Sequence, residues 1–498
     1  MSDLQLLLAI SLVMPLLSAL AVLVFSNQEN IRDICGPVGG LITFISAIFI
    51  ASAIMDGKTV SITLWQIAPG IGFSFAVTPL GALFGLVASG LWILASIYTV
   101  GYMRGAKEKN QTRFAFYYAV AIHAAMAISY SGNLMMLFIF YEVLTFSTYP
   151  LVAHSQTKEA RNAGRLYMGI LVATSLLLFL PAIFWVWTVS GTLEFTKGGI
   201  LPADFPPFLV SVMLAMFAFG IGKAALMPIH RWLPAAMVAP TPVSALLHAV
   251  AVVKAGVFSV LTITVYVKAG VFSVLTITVY IFGIDFLNTT GSAVWLAWLA
   301  AFSILASSII AITKDDLKAR LAYSTISQLS YIVLGAALAT AAATEGAALH
   351  IVMHATAKIT LFFCAGAIYV NAHIKKISEL DGLGPKLPLI FIAFFLASLS
   401  IIGIPPMGGS WSKFLLMAGS VDAGMPLMLA VLAISSLLNV YYLLEPCARA
   451  FFKPAIKDVH VENHILTIIP PVVTAMISLS LFFTIDWVRP LTTLMVMP

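Results

Sequence analysis

A chain of 498 residues that is 61% hydrophobic and only 9% charged lies far outside the composition of soluble globular domains. Apolar runs of 18 or more residues recur from end to end, which predicts an all-α integral membrane protein, and the alternating ten-residue segments of a membrane barrel are absent. The net charge of +6 sits in short loops between the apolar runs, so it is a topology signal and gives no reason to expect nucleic acid as a partner.

Taken in chain order, about 14 transmembrane helices are predicted, at 4–26, 34–55, 78–101, 114–130, 133–153, 166–190, 208–228, 242–266, 289–312, 319–341, 346–370, 388–418, 425–447 and 464–487. The first of these carries Asp3 and no positive charge, so it reads as an uncleaved span and not as a signal peptide. Spans 7 and 12 are interrupted at Met227-Pro228 and Pro405-Pro406, because proline removes a helix hydrogen bond. If the N-terminus is outside, the inside loops hold eighteen basic residues and the outside segments hold three: Lys58, Lys197 and Arg489. That asymmetry predicts a multi-pass protein of the cell (inner) membrane with both termini outside. Five basic residues remain, Lys223, Lys254, Lys268, Lys358 and Lys413, and all five fall in apolar stretches.

The stretch from Phe219 to Lys254, FGIGKAALMPIHRWLPAAMVAPTPVSALLHAVAVVK, organises the rest. It is apolar enough for a membrane, yet it holds two lysines, two histidines, an arginine and four prolines. A lysine at membrane depth costs roughly 2.5–3.5 kcal/mol on insertion scales and marks function. A lysine beside a broken helix is a typical transporter ion site. IPPMGGSWSKF repeats the pattern, with Lys413 after the break in span 12. Five spans separate the two breaks, and an odd offset reverses orientation, so the chain is expected to contain two inverted five-helix repeats. The expected division is 1–112 (three spans), 113–287 (first repeat), 288–455 (second repeat) and 456–498 (last span).

Other ionisable residues fall on the same spans. Glu142 lies nine residues into span 5 with no local partner, and an ion pair with Lys223 would keep it charged. His248 and Lys254 are six residues apart on span 8, about 120° around an ideal helix. His350, His354 and Lys358 recur every four residues and form one stripe on span 11. That stripe lacks a third good metal ligand, so a relay of imidazoles that titrate near neutral pH is the favoured reading. Asp315, Asp316, Lys318 and Arg320 read as structural or partner contacts, His230 and Arg231 as lining the inner end of the span-7 break, and His154 and His373 as solvated loop residues. Cys35, Cys364 and Cys447 match no disulfide, metal or iron–sulfur spacing, and no Gly-rich nucleotide loop is present. No cofactor and no redox centre are therefore expected in this chain.

FYEVLTFSTYPLV, GIGKAALMPIHRWLPAAMVAPTPVSALLHAVAVVKAGVF, DDLKARLAYSTISQLSYI, HIVMHATAKITLFF and GIPPMGGSWSKF together resemble the proton-conducting antiporter-like subunit family. That family includes the D-type subunit of Mrp-type Na⁺/H⁺ antiporters and the antiporter-like subunits of respiratory complex I and of membrane-bound hydrogenases. The resemblance covers roughly residues 75–450, and the fourteen-span length fits the D-type subunit or its nearest complex I relatives. It implies a Glu142–Lys223 pair that tunes the proton affinity of the lysine. It also implies a proton route through Lys254, His350, His354 and Lys358 to an exit carrier at Lys413. The expected partners are other membrane subunits of a hetero-oligomeric complex, the lipid bilayer, protons and, for an antiporter, Na⁺. The alternatives are a complex I-like or hydrogenase pump subunit and a structural subunit that no longer pumps. The retained buried charges argue against the last, since a scaffold would gain stability by losing them.

Val253–Tyr266, VKAGVFSVLTITVY, is repeated letter for letter at Val267–Tyr280. Pro242 fixes the start of span 8, and Lys254 keeps the six-residue step from His248, so Lys254 and not Lys268 is the expected carrier. An extra membrane crossing in the second copy would invert every later loop against the positive-inside rule. The copy is therefore expected beyond the outer surface, with Lys268 in water. Resequencing the gene would distinguish a real repeat from an error in the recorded sequence.

Overall fold

The computed structural model describes residues 2–69, 71–195, 200, 202, 205–245, 293–455 and 459–496. Helix α1 (Asp3–Val24) starts at a reciprocal cap in which Gln5 N donates to Ser2 Oγ and Ser2 N donates to Gln5 Oε1. Helix α2 (Glu29–Met55) follows, then α3 (Pro79–Gly105), which combines a Thr78 cap with proline in its first turn. Next come α4 (Gln111–Ser129), α5 (Leu134–Val152) capped by Asn133, and α6 (Lys158–Thr174) capped by Thr157. A π-turn at Ser175–Phe179 joins α6 to α7 (Leu180–Ser190). Helix α8 (Pro207–Gly220) ends in a 3₁₀ turn at Gly222–Ala224, and two short pieces follow, α9 (Trp232–Ala235) and α10 (Thr241–Ala245). The second half holds α11 (Val294–Ile312), α12 (Leu317–Leu338), α13 (Ala341–Ala372), α14 (Pro388–Ile402), α15 (Gly409–Asp422), α16 (Pro426–Phe452), α17 (Ile465–Phe483) and α18 (Arg489–Val496).

Among the described residues, ten helices are long and apolar enough to cross a membrane, counting α6 through α7 as one, and two shorter apolar helices lie at Phe208–Gly220 and Pro388–Ile402. The shorter pair are the first limbs of the two predicted broken spans, and α4 occupies the predicted fourth span. The eighth span lies outside the described residues beyond Ala245, as do His248, Lys254, Lys268 and the tandem repeat. Boundaries differ where a cap extends a helix past its apolar core. Helix α6 starts at Lys158, so Lys158, Arg161 and Arg165 are helical and not in a loop.

Two elements depart from the expected all-helical chain. Ser61–Ala68 (β1) and Ile71–Ala76 (β2) form an antiparallel hairpin with Ser61 opposite Ala76. This stretch is too short to span and rich in β-branched and aromatic residues, which favour a pleated surface. Phe75 of β2 packs against Phe140 of α5 at 5.7 Å between ring centroids. Helix α18 is fastened to the start of α13 by an Arg489–Glu345 ion pair at 2.9 Å.

Helix α13 lies at the centre, with its spanning window wholly buried and α12 nearly so. It packs against α3, α12, α14, α15 and α17. A helix with apolar neighbours on all sides can keep polar residues only where they pair with one another, and α13 carries His350, His354 and Lys358, all buried.

Candidate functional site

The break after α8 positions Lys223. A Cβ on Gly220 would meet the Phe179 backbone nitrogen at 2.5 Å, so only glycine lets the end of α8 lie against the π-turn. The chain then turns through Gly222–Ala224, with Trp232 Nε1 donating to the Gly222 carbonyl at 3.0 Å. Lys223 is fully buried. Its Nζ donates to the Tyr141 carbonyl at 2.7 Å and to the Thr145 hydroxyl, and lies 3.1 Å from the centroid of the Tyr141 ring. The Tyr141 hydroxyl in turn accepts from the Lys223 backbone nitrogen at 3.1 Å. Glu142, the next residue along α5, is half-buried and close enough to act on Lys223 electrostatically, and its Oε1 has no hydrogen-bond partner. Among the described residues no ion pair within 4 Å joins Glu142 to Lys223; the ammonium rests on Tyr141 and Thr145, on either side of the glutamate.

The second break has the complementary geometry. Helix α14 ends at Gly403, whose φ of +89° favours glycine and where a Cβ would meet Lys413 Cδ at 2.6 Å. Lys413, from α15, folds back over this space. Its Nζ donates to the Ile402 carbonyl at 3.0 Å and to Ser436 Oγ of α16 at 2.8 Å. A cation thus satisfies one of the orphan carbonyls at the negative end of the half-helix. The same ammonium lies 4.9 Å from the Tyr331 ring of α12.

Tyr331 links Lys413 to the histidines. It stacks on His350 at 5.6 Å and 13°, and His350 stacks on His354 at 5.8 Å and 22°. His350 Nδ1 is hydrogen-bonded to the hydroxyl of Ser412, the neighbour of Lys413, at 2.9 Å. One helical turn past His354, Lys358 Nζ donates to Ser324 Oγ at 2.6 Å. The Tyr442 hydroxyl reaches the same Ser324 oxygen at 3.1 Å and also contacts Asn439 Oδ1. Gln328 is fully buried between the turns of α12 that carry Ser324 and Tyr331.

Lys413, His350, His354 and Lys358 are therefore brought together in the second half, and Lys223 and Glu142 in the first. His248 and Lys254 lie outside the described residues. Reading by charge missed Tyr141, Thr145, Tyr331, Ser412, Ser324 and Tyr442. Tyrosine and serine on membrane helices are ordinary core residues unless a cation is known to face them. Among the described residues, no three His, Cys, Asp or Glu side chains converge on a metal position.

The charged loops are structural. Arg320 pairs with Glu445 at 2.6 Å, Asp316 caps α12, Asp315 accepts from Ser378, and Lys318 donates to the Ala239 carbonyl at 2.7 Å. His230 is part-buried and Arg231 exposed beyond the first break, and His373 is exposed as expected. His154 is not solvated: it is 3% exposed, with its ring edge-on to Phe114 and its Nε2 hydrogen-bonded to the Lys109 carbonyl at 2.9 Å. The turn after α5 folds inward under α4, which a reading of loops as wet surface does not anticipate. Burial, helped by the Arg113 charge and opposed by that hydrogen bond, pushes its pKa down to about 4. A cavity of about 110 Å³ near the same end is lined by Glu108, Asp316, Lys318 and Lys375 and reaches Tyr369 of α13. Burial raises the Glu108 carboxyl above its ordinary value against the opposing pull of Lys318 and Lys375.

A multi-pass helical bundle with a buried lysine at each of two helix breaks and a stacked histidine pair on its central helix defines a membrane protein with a buried cationic axis. Residues 131–439 match the NADH:quinone oxidoreductase/Mrp antiporter transmembrane family, and the chain belongs to that family as an antiporter-like membrane subunit. NADH-quinone oxidoreductase subunit N of Desulforudis audaxviator is 31% identical over 395 residues, which cover 77% of this chain and 74% of that one. Na⁺/H⁺ antiporter subunit A1 of Staphylococcus aureus is 28% identical over 426 residues, 82% of this chain, and the match spans half of that relative's length. A chain of the Mrp complex from Dietzia sp. DQ12-45-1b superposes with a TM-score of 0.84 at 20% identity, over 100% of this chain and 97% of that one. A chain of the membrane-bound sulfane sulfur reductase, an archaeal respiratory complex, gives a TM-score of 0.83 at 22% identity, over 98% and 96%. At these identities the two structures share the fold.

Proposed function

We propose that this chain conducts protons along its buried axis as one subunit of a larger membrane complex, and that the complex is an Mrp-type cation/proton antiporter with this chain as its D-type subunit. The observation that supports this most is the stacked run Lys413–Tyr331–His350–His354, continued one turn later by Lys358. Each group can bind a proton or hold a water that does, and none is in open solvent. Glu142 and Lys223 form the other end: with Glu142 turned toward it the ammonium keeps its proton, and with Glu142 turned away, on the dry Tyr141–Thr145 platform, it releases it. In sequence order, His248 and Lys254 are the next carriers on the proposed route. Spans 4–8 and 9–13 are inverted repeats, so that the Lys223 and Lys413 breaks serve opposite faces of a cell membrane with both termini outside.

The test is proton uptake by vesicles containing the purified complex. Lys358→Met should abolish uptake while the complex still assembles; uptake at the unsubstituted rate rejects the reading. A second reading, a proton-pumping subunit of a complex I-like oxidoreductase, is favoured by the 31% identity to an oxidoreductase subunit N. Purifying the native complex separates the two. Membrane subunits alone, with ²²Na⁺ exchange driven by a pH gradient, support the antiporter; co-purifying iron–sulfur subunits support the oxidoreductase.

A further inference from the structure

Where α4 begins, α5 ends and α6 begins, a cavity of about 360 Å³ opens on the side of the bundle. It is lined by Arg113, Tyr149, Pro150, Ala153, Gln156 and Arg161, with no acidic side chain among them. The Arg113 guanidinium is anchored through Nη2 to the His154 carbonyl at 2.9 Å, and its buried Nε has no hydrogen-bond partner. Arg161 is exposed at the cavity edge. It shares one face of α6 with Lys158 and Arg165, at a spacing of three and four residues, while Glu159 lies about 100° around the helix from Lys158. The N-terminus of the seventeen-residue α6 adds partial positive charge on the same side. One turn before Tyr149 and Pro150 on the same face of α5 the surface turns apolar, with Phe146 56% exposed. Tyr149 lies between the basic and apolar zones, where an amphipathic ring belongs at a membrane interface.

Two guanidinium groups on separate helices at a span end, above a greasy exposed face, fit one ligand chemistry: a phosphate carrying acyl chains. We propose that this cavity holds the phosphate of an anionic phospholipid, with its headgroup between Arg113 and Arg161 and one acyl chain along Phe146. Arginine presents planar, paired donors suited to phosphate oxygens. The bond from Arg113 Nη2 to the His154 carbonyl holds that guanidinium at the cavity wall. The site is separate from the Lys223–Lys413 axis and does not depend on proton conduction.

The test uses the full-length chain in detergent, with native mass spectrometry to count retained lipid and thermal unfolding to read stabilisation. Phosphatidylglycerol should be retained and should raise the melting temperature, while phosphatidylcholine and inorganic phosphate at matched concentration should do neither. Arg161→Gln, whose side chain anchors nothing in the fold, should weaken phosphatidylglycerol retention about fivefold, the order expected for one basic side chain near an anionic membrane surface. Arg113→Gln should weaken it further. Lys58→Gln, on an exposed loop, should leave retention unchanged. Equal retention by the unsubstituted chain and Arg161→Gln overturns the proposal. Stabilisation by inorganic phosphate equal to that by the lipid overturns it in favour of a small-anion site. An acidic segment of a neighbouring subunit found against Arg113 and Arg161 in the assembled complex overturns it as well.

Discussion

Replacing Lys413 with methionine should stop proton transport and leave folding nearly intact. Lys413 is 4% exposed, and its ammonium makes two hydrogen bonds, to the Ile402 carbonyl and to Ser436 Oγ. Hydrogen bonds to charged groups contribute about 1.5–3 kcal/mol each, so losing both costs about 3–6 kcal/mol. Removing a lysine from membrane depth returns roughly 2.5–3.5 kcal/mol on insertion scales, and methionine keeps the volume, so little cavity cost is added. The balance runs from about −0.5 to 3.5 kcal/mol of destabilisation, a fall of at most several degrees in melting temperature. Transport should instead fall to background, read as quenching of a pH-sensitive dye in vesicles containing the complex. Lys413→Arg sharpens the test, because it keeps the charge and both acceptors but does not deprotonate in proteins. It too should be inactive. A Lys413→Met protein that is degraded before assembly would mean the residue is structural. A Lys413→Arg protein that transports normally would mean that fixed charge is enough and that no proton passes through this position. Either result refutes the reasoning.

Glu142→Gln should cut vesicle proton uptake at least tenfold with normal assembly, since Lys223 keeps its Tyr141 and Thr145 contacts; unchanged uptake would remove Glu142 from the route. Gly220→Val should lower the melting temperature by several degrees, because its side chain would run into the Phe179 backbone and overpacking costs about 1–3 kcal/mol; an unchanged melt would show that α8 has room to shift. His154 is neutral in the fold, with its pKa down near 4, whereas the unfolded chain takes up that proton near pH 6.5. Its contribution is therefore complete above pH 6.5 and is lost as pH falls from there toward 4, so His154→Gln should flatten the melting temperature against pH in that window, and parallel profiles would contradict it. Lys254→Ala should abolish transport and Lys268→Ala should not; the reverse would assign the carrier to the second copy of the tandem repeat.

The legible parts of this molecule are those where one residue type has few other uses. A lysine in an apolar run and a proline in the middle of a span are each expensive unless something in the fold answers them, so Lys223, Lys413 and both breaks could be read directly from the chain. The groups that answer them could not. Ser412 also donates to the Gly409 carbonyl of its own helix and Thr145 lies a turn beyond Tyr141, so in sequence both are indistinguishable from residues that satisfy the backbone locally. Tyr331 reads as packing until Lys413 and His350 are both found against its ring. The hairpin escaped for a related reason: a search for apolar windows sees Ser61–Ala76 only as a connection. The two breaks also differ in a way that spacing alone hides. Lys223 lies just past its half-helix and reaches across to α5, whereas Lys413 comes from the following helix and folds back onto the half-helix end it follows. The first lysine is thus held by a neighbouring helix that carries a carboxylate beside the contact, and the second by the carbonyl end of a helix with none. An acid that can swing toward or away from a cation can change its grip, while a fixed helix end cannot. On the proposed route, control therefore belongs at the Glu142–Lys223 end, and Lys413 follows the state of the histidines across the Tyr331 ring.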